Sequence, residues 1–246
     1  PLGLWFWEID RVLLLLVSIL IAIGLVAVAA ASPVSAQKLS TSTVSVDPLY
    51  FFYRQIAWVV VGVPVMLAVS MLPKQQAKRF AIWGAVIFLG LLFLVPLVGT
   101  EVNGAQRWLG SGFMRLQPSE FLKPMFAVSV AWLLSLRMQD ERLPMIPLTF
   151  VLTGIIAVLL MGQPDLGQTL IFAGTWLVLV MVAGLSMRIM GLLAGGGVLA
   201  IILAYFFYPV ATKRINIWLF GEGDAFQVER AHAALTGGGL IGTGPG

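Results

Sequence analysis

Between Glu101 and Lys123 the sequence reads EVNGAQRWLGSGFMRLQPSEFLK, which carries Glu101, Arg107, Arg115, Glu120 and Lys123 with Trp108 and Gln117 among them. Its surroundings are apolar: Phe80–Val98 before it and Pro124–Leu136 after it hold no charged residue. A charge at mid-membrane costs roughly 2.5–3.5 kcal/mol on insertion scales, so groups this dense between membrane-length runs pair, snorkel or line a wet cavity. If the helix begins near Ser119, Glu120 and Lys123 are i, i+3 neighbours and share a face. The plainer alternatives are an interfacial anchor for Arg107-Trp108 and a structural ion pair for Glu120 with Lys123.

Three further polar groups fall on the same expected side. Gln163-Pro164-Asp165-Leu166-Gly167-Gln168 reads as a tight turn, with Asp165 a site residue, a solvated tip or a helix cap. Lys213-Arg214-Ile215-Asn216 precedes Glu222-Gly223-Asp224, where Asp224 sits between small residues and is by default a solvated loop carboxylate. The glycine-rich run Gly237–Gly246 lacks the Lys-Ser/Thr of a phosphate-binding P-loop. With no cysteine and His232 as the lone histidine, thiolate metal sites, histidine clusters and Ser-His-Asp triads lack material.

Carboxylates and cations gathered on one membrane face suit transfer chemistry on a phosphorylated lipid. Cations stabilise a departing diphosphate, and one carboxylate removes a proton from an incoming hydroxyl. A glycoside hydrolase needs a second carboxyl to protonate its leaving group. A diphosphate leaves readily without one.

The elements that must position these groups follow from composition. The 246 residues are 59% hydrophobic and 11% charged, with net charge +4 and mean hydropathy +0.97. Continuous apolar runs exclude a β-barrel and predict an all-α polytopic membrane protein. Seven transmembrane helices are expected, over Val12–Ala31, Ile56–Leu72, Phe80–Val98, Phe121–Leu136, Met145–Met161, Thr169–Met187 and Ile189–Val210. They form a single integral membrane domain over 1–246, with a large outer loop beginning near 211. The first run exceeds the length of a signal-peptide core, so it reads as a retained anchor despite Val34-Ser35-Ala36. The glycine-rich end reads as part of a longer chain. Pro64, Pro96 and Gly195-Gly196-Gly197 fit ordinary membrane-helix packing.

Orientation follows from the loop Lys74–Arg79, with three cations and no acid, which favours a cytoplasmic N-terminus. The outer side then holds Lys38, Arg54, Arg107, Arg115, Lys123, Lys213, Arg214 and Arg230, which an anionic extracytoplasmic ligand would explain. The cations are spread over loops and helix ends, so nucleic acid is a poor partner.

Several of these motifs occur together in one family. Asn103-Gly104-Ala105-x-Arg107-Trp108, Gln117-Pro118-Ser119-Glu120-Phe121-x-Lys123 and Gln163-Pro164-Asp165-x-Gly167-Gln168 resemble the SEDS family of shape, elongation, division and sporulation proteins. So do Arg214-Ile215, Gly223-Asp224-x-Phe226-Gln227-Val228 and the ending Gly238-Gly239-x-x-Gly242-x-Gly244-Pro245-Gly246. Trp5-Phe6-Trp7, Ala31-Ser32-Pro33 and Asp47-Pro48-x-Tyr50-Phe51 resemble its division branch more than its elongation branch. Ala225 departs from the Pro or Thr of many relatives.

The resemblance implies a ten-helix fold with both termini cytoplasmic, of which this chain holds seven helices. It implies peptidoglycan glycosyltransferase activity: polymerisation of lipid II, the undecaprenyl-diphosphate disaccharide pentapeptide, outside the cytoplasmic membrane at the division site. It places the family's essential acidic residue on Asp224, and its cavity motif on Arg107, Trp108, Glu120 and Lys123, with Gln117, Asp165 and Arg214 as further substrate-binding candidates. Asp224 acts as general base, or holds a divalent cation (magnesium or manganese) that does so; no other cofactor is expected. Implied partners are membrane lipid, a class B penicillin-binding protein transpeptidase and other division membrane proteins. The rivals are a lipid-linked precursor flippase, an elongation-type polymerase and a scaffold that only recruits the transpeptidase.

Overall fold

The computed structural model describes residues 9–39, 45–102, 105–110, 115–220 and 226–238. Two compact units are described in turn, one of residues 1–73 with 226–246 and one of residues 74–225.

In the first unit, α1 (Arg11–Leu39) and α2 (Tyr50–Ser70) pack together. Asp10 starts α1 by accepting the Leu13 N–H at 3.0 Å, a side-chain cap on a free helical donor. Early α1 residues Leu14, Val17 and Ile21 lie beside late α2 residues Val63, Met66 and Leu67, so the two helices run antiparallel. At the other end the buried Ser32 donates to the Pro48 carbonyl at 2.7 Å. Asp47 folds the link by accepting the Leu49 N–H at 2.7 Å. Leu20, Val26 and Val60 are each more than 60% exposed, as lipid-facing side chains are. The helix α9 (Phe226–Gly238) is also assigned to this unit.

The second unit holds α3 (Lys74–Val98), the strands β1 (Thr100–Val102) and β2 (Ala105–Trp108), then α4 (Pro118–Arg137), α5 (Met145–Gly162), α6 (Leu166–Val182), α7 (Met187–Phe207) and α8 (Pro209–Phe220). Its core is built from narrow stripes. On α4, Leu122, Phe126, Val130 and Leu134 recur every four residues and are buried. On α6 the stripe is Phe172, Trp176 and Val180. Phe126 meets Phe172 edge-on at 5.0 Å between centroids, and Trp176 donates its indole N–H to Thr149 Oγ1 at 3.1 Å. In a medium without water such polar atoms must find protein partners.

Among the described residues six helices are long and apolar enough to cross a membrane, and α6, with 17 residues, is a shorter apolar helix. The seven expected spans are therefore all present as helices, with shifted ends. The first runs through Pro33 to Leu39 rather than stopping at Ala31. The sixth starts at Leu166 and stops at Val182, because Gly184 takes a positive φ of 81° and turns the chain. The seventh ends at Phe207, where Tyr208 is extended and Pro209 opens α8. Residues past 211, expected as loop, are helical over Pro209–Phe220 and Phe226–Gly238. The hairpin β1–β2 was not anticipated either.

The α3–α4 contact depends on a missing side chain. A Cβ on Gly84 would stand 2.2 Å from Met125 Sδ, so the thioether fills the space over the glycine. Gly84→Leu should overpack this seam and lower the thermal unfolding midpoint in detergent, by the equivalent of about 1–3 kcal/mol. Met125→Ala in the same chain should recover part of the loss. Equal midpoints for Gly84→Leu and the parent would show that the seam is loose.

Candidate functional site

The hairpin after α3 is what brings the first polar segment to the second. β1 and β2 pair antiparallel, with Glu101 opposite Gln106 and Val102 opposite Ala105. Asn103-Gly104, which lies outside the described residues, is the strongest short-range hairpin signal in a sequence and could have revealed these strands. Gln106 Nε2 donates to the Gly99 carbonyl at 2.7 Å, fixing the hairpin to the end of α3.

Successive strand residues point to opposite faces, and Arg107 meets the turn between α5 and α6. Its Nε donates to the Gln163 carbonyl at 2.9 Å and Nη2 donates to the Pro164 carbonyl. Nη1 stands 3.4 Å from Asp165 Oδ2. One guanidinium thus holds three successive residues of one turn, a use that its planar fork allows and an ammonium does not.

Asp165 has a second task. Its Oδ1 accepts the Gln168 N–H at 3.3 Å, capping α6, so the cap reading of the sequence is what the structure shows. Its carboxylate is only 8% exposed. Gln163, also buried, points its amide towards the Leu92 carbonyl on α3 at 3.5 Å.

From α6 the network crosses to α4. Gln168 Nε2 donates to Glu120 Oε1 at 2.5 Å. Glu120 Oε2 lies 2.8 Å from Lys123 Nζ, the i, i+3 pair expected from the sequence. Pro118 sits at the start of α4 and Glu120 in its first turn, where a carboxylate is favoured by the helix dipole. Gln117 is the extended, half-buried residue before the helix, and its carbonyl accepts the Glu120 N–H at 3.1 Å. Trp108 follows Arg107 on β2 and is half-buried.

Arg107, Asp165, Glu120 and Lys123 are therefore brought to one end of the second unit, linked by Gln163 and Gln168. Those two glutamines were not among the expected site residues. Gln168 was legible only as a residue three after an Asp cap, where side chains reach back over the helix start. Two buried oxygens here have no partner among the described residues: Gln168 Oε1 and Ser119 Oγ. The joint of α7 and α8 reaches the same end, since Tyr208 Oη donates to the Met161 carbonyl at 2.8 Å. Arg214 stands on α8, with its side chain outside what is described, and Asp224 lies outside the described residues altogether. Among the described residues no group of three or more His, Asp and Glu gathers to hold a metal.

A family model described as cell cycle protein, for FtsW, RodA and SpoVE, matches residues 10–246. The probable peptidoglycan glycosyltransferase FtsW of Caulobacter vibrioides is 34% identical over 248 residues, covering 100% of this chain and 62% of that protein. Its counterpart in Haemophilus influenzae is 31% identical over 259 residues, again with 100% and 62% covered. Among solved structures, a chain from "Structural coordination of polymerization and crosslinking by a peptidoglycan synthase complex" aligns with TM-score 0.68 and 30% identity, covering 92% of this chain and 65% of that one. The rod shape determining protein RodA of Thermus thermophilus aligns with TM-score 0.61 and 29% identity, covering 79% and 60%. This chain thus spans 62% of the length of both curated relatives.

Arg107→Ala would leave the Asp165 carboxylate buried without its cation, a loss that breaking such a pair sets at about 3 kcal/mol. Asp165→Asn in the same chain should restore part of it, because the amide oxygen still caps α6 and carries no charge. Thermal unfolding of the two single variants and the double variant measures the coupling. Strictly additive losses would show that the two side chains act independently.

Proposed function

The chain belongs to the FtsW, RodA and SpoVE family of cell cycle proteins, and from that premise we propose that the whole protein is a peptidoglycan glycosyltransferase, polymerising lipid II during septal wall synthesis. It is a polytopic helical membrane protein. The observation that carries the reading is the continuous chain Lys123–Glu120–Gln168–Asp165–Arg107 at one end of the bundle. The names of its relatives agree: two are probable peptidoglycan glycosyltransferases, and one structural neighbour belongs to a peptidoglycan synthase complex.

In this reading the N-terminus is cytoplasmic and the site faces outward. The acceptor sugar hydroxyl attacks the anomeric carbon of the donor with inversion, the bond to the diphosphate breaks, and Asp224 takes the hydroxyl proton. The residues described divide the remaining work. Arg107 has donors committed to the α5–α6 turn, so it serves chiefly to hold that turn. Lys123, 26% exposed, is the ammonium best placed to meet the departing diphosphate, with Arg214 as a second cation. Trp108 and Gln117, both half-buried, precede Lys123 in sequence and are further substrate-binding candidates. A class B penicillin-binding protein is the partner that crosslinks the strands.

The flippase alternative asks for ionisable groups through the full depth of the bundle. Among the described residues α5 and α6 carry none, and those of α3, α4 and α7 stand at helix ends.

Polymerisation of purified lipid II by the full-length protein, paired with a penicillin-binding protein lacking its own transferase, tests the proposal. Asp224→Asn keeps size and hydrogen-bonding shape but removes basicity, so glycan synthesis should fall at least ~10²-fold, the low end for a lost general base. Near-normal synthesis by a well-folded variant would end the assignment of Asp224. Lys123→Ala should weaken lipid II binding more than Lys38→Ala does. Equal binding by the two would remove Lys123 from the site.

A further inference from the structure

Both ends of the second unit carry cations. At the candidate site, Arg107 and Lys123 are each paired with a carboxylate. At the opposite end stand Lys74, Lys78 and Arg79 at the start of α3, Arg137 at the end of α4, Arg142 before α5 and Arg188 in the first turn of α7. Among the described residues, none of these six lies within ion-pair distance of an acidic group. The carboxylates nearest in sequence are the exposed Asp140 and Glu141, and Asp140 accepts the backbone N–H of Arg142.

Helix α3 sets the level of these charges. With 25 residues it is about 37 Å long, some 7 Å more than the hydrocarbon core, so it is long enough to span with its charged first turn and a half left over for the headgroup level. Its first turn holds no acid, although a helix N-terminus disfavours cations and favours anions. The outward face is graded. Arg79 is exposed, Trp83 one turn on is 68% exposed, and Val86 and Ile87 follow at 59% and 57%. Cation, indole and aliphatic side chains at steps of about 6 Å along a helix match phosphate, glycerol ester and acyl chain. Lys78, turned towards α4, holds its ammonium 5.6 Å from the centre of the Trp132 ring, a second cation in the same turn of α3.

We propose that this α3–α4 edge is a binding site for one anionic phospholipid, its phosphodiester taken by Arg79 and Lys78 and its acyl chain lying along Trp83, Val86 and Ile87. The site lies at the other end of the bundle from Lys123 and does not rest on the glycosyltransferase reading.

Native mass spectrometry of the full-length protein, released from bicelles of phosphatidylglycerol and phosphatidylcholine in equal parts, tests it. Phosphatidylglycerol should be retained in preference. Each cation near an anionic headgroup contributes about a fivefold factor, so Lys78→Gln with Arg79→Gln should lower the retained fraction by more than tenfold. Arg142→Gln with Arg188→Gln removes the same charge from the same end and should change it less than twofold. An equal fall for both pairs would mean a diffuse positive field, and no fall would mean no site. Because removing loop charges can disturb insertion, Arg79→Lys supplies a variant that keeps the charge. It should lose two- to fivefold through the missing guanidinium fork, and unchanged retention would overturn the Arg79–phosphate contact.

Discussion

A carboxylate that is 8% exposed inside an apolar bundle must be compensated, and the compensation of Asp165 is what the site depends on. Its charge fixes Arg107, which comes from a hairpin 58 positions earlier in the chain and which also grips the carbonyls of Gln163 and Pro164. Its other oxygen fixes the first turn of α6, and so the backbone of Gln168. From there the direction is set: Gln168 donates to Glu120, and Glu120 holds Lys123. A change at the turn therefore reaches the ammonium through hydrogen bonds rather than through packing. The arrangement has a cost, since Gln168 Oε1 and Ser119 Oγ are buried without partners among the described residues. Each such group costs about 1–3 kcal/mol unless a ligand or water meets it.

The helices around this network explain why it can stay polar. Stripes on α4, α5 and α6 bury Phe126, Phe172, Trp176, Ile156 and Leu160 below the polar end, so the ion pairs rest on a packed floor. Where polar atoms enter that floor they are matched, as Trp176 is by Thr149 and Thr153 by the Thr149 carbonyl. Gly84 lets α3 approach α4 closely under Met125, and α3 carries the hairpin that bears Arg107. The seam between two apolar helices thus sets the reach of a charged side chain above them.

How much of this was legible follows from the range of each interaction. Spans such as α3 and α5 read well, because uncharged runs bounded by cations or prolines are a local signal. The Glu120–Lys123 pair and the Asp165 cap are also local, and both were readable at three-residue spacing. The hairpin was missed because three- and four-residue strands carry almost no periodicity, although Asn103-Gly104 marked the turn. The Arg107–Asp165 contact bridges distant segments, and no pattern in one sequence forecasts it. The helices α8 and α9 have polar residues on most sides, so residues past 211 looked like loop. The assignments of Asp224 and Arg214 rest on the family motif alone.

Lys123 illustrates why a site for an anionic group would keep a carboxylate beside its cation. An unpaired ammonium would bind a diphosphate tightly and release it slowly, whereas catalysis rewards contacts that strengthen as charge develops. Glu120 offsets that excess. Being 46% exposed, it contributes little to stability through the pair itself. Its second oxygen is held by Gln168, so it would stay in place if an incoming anion drew Lys123 away. In the proposed role the ammonium would have two alternative partners, one fixed and one transient. The strength of its hold on a diphosphate would then be set by the difference between them rather than by the full charge.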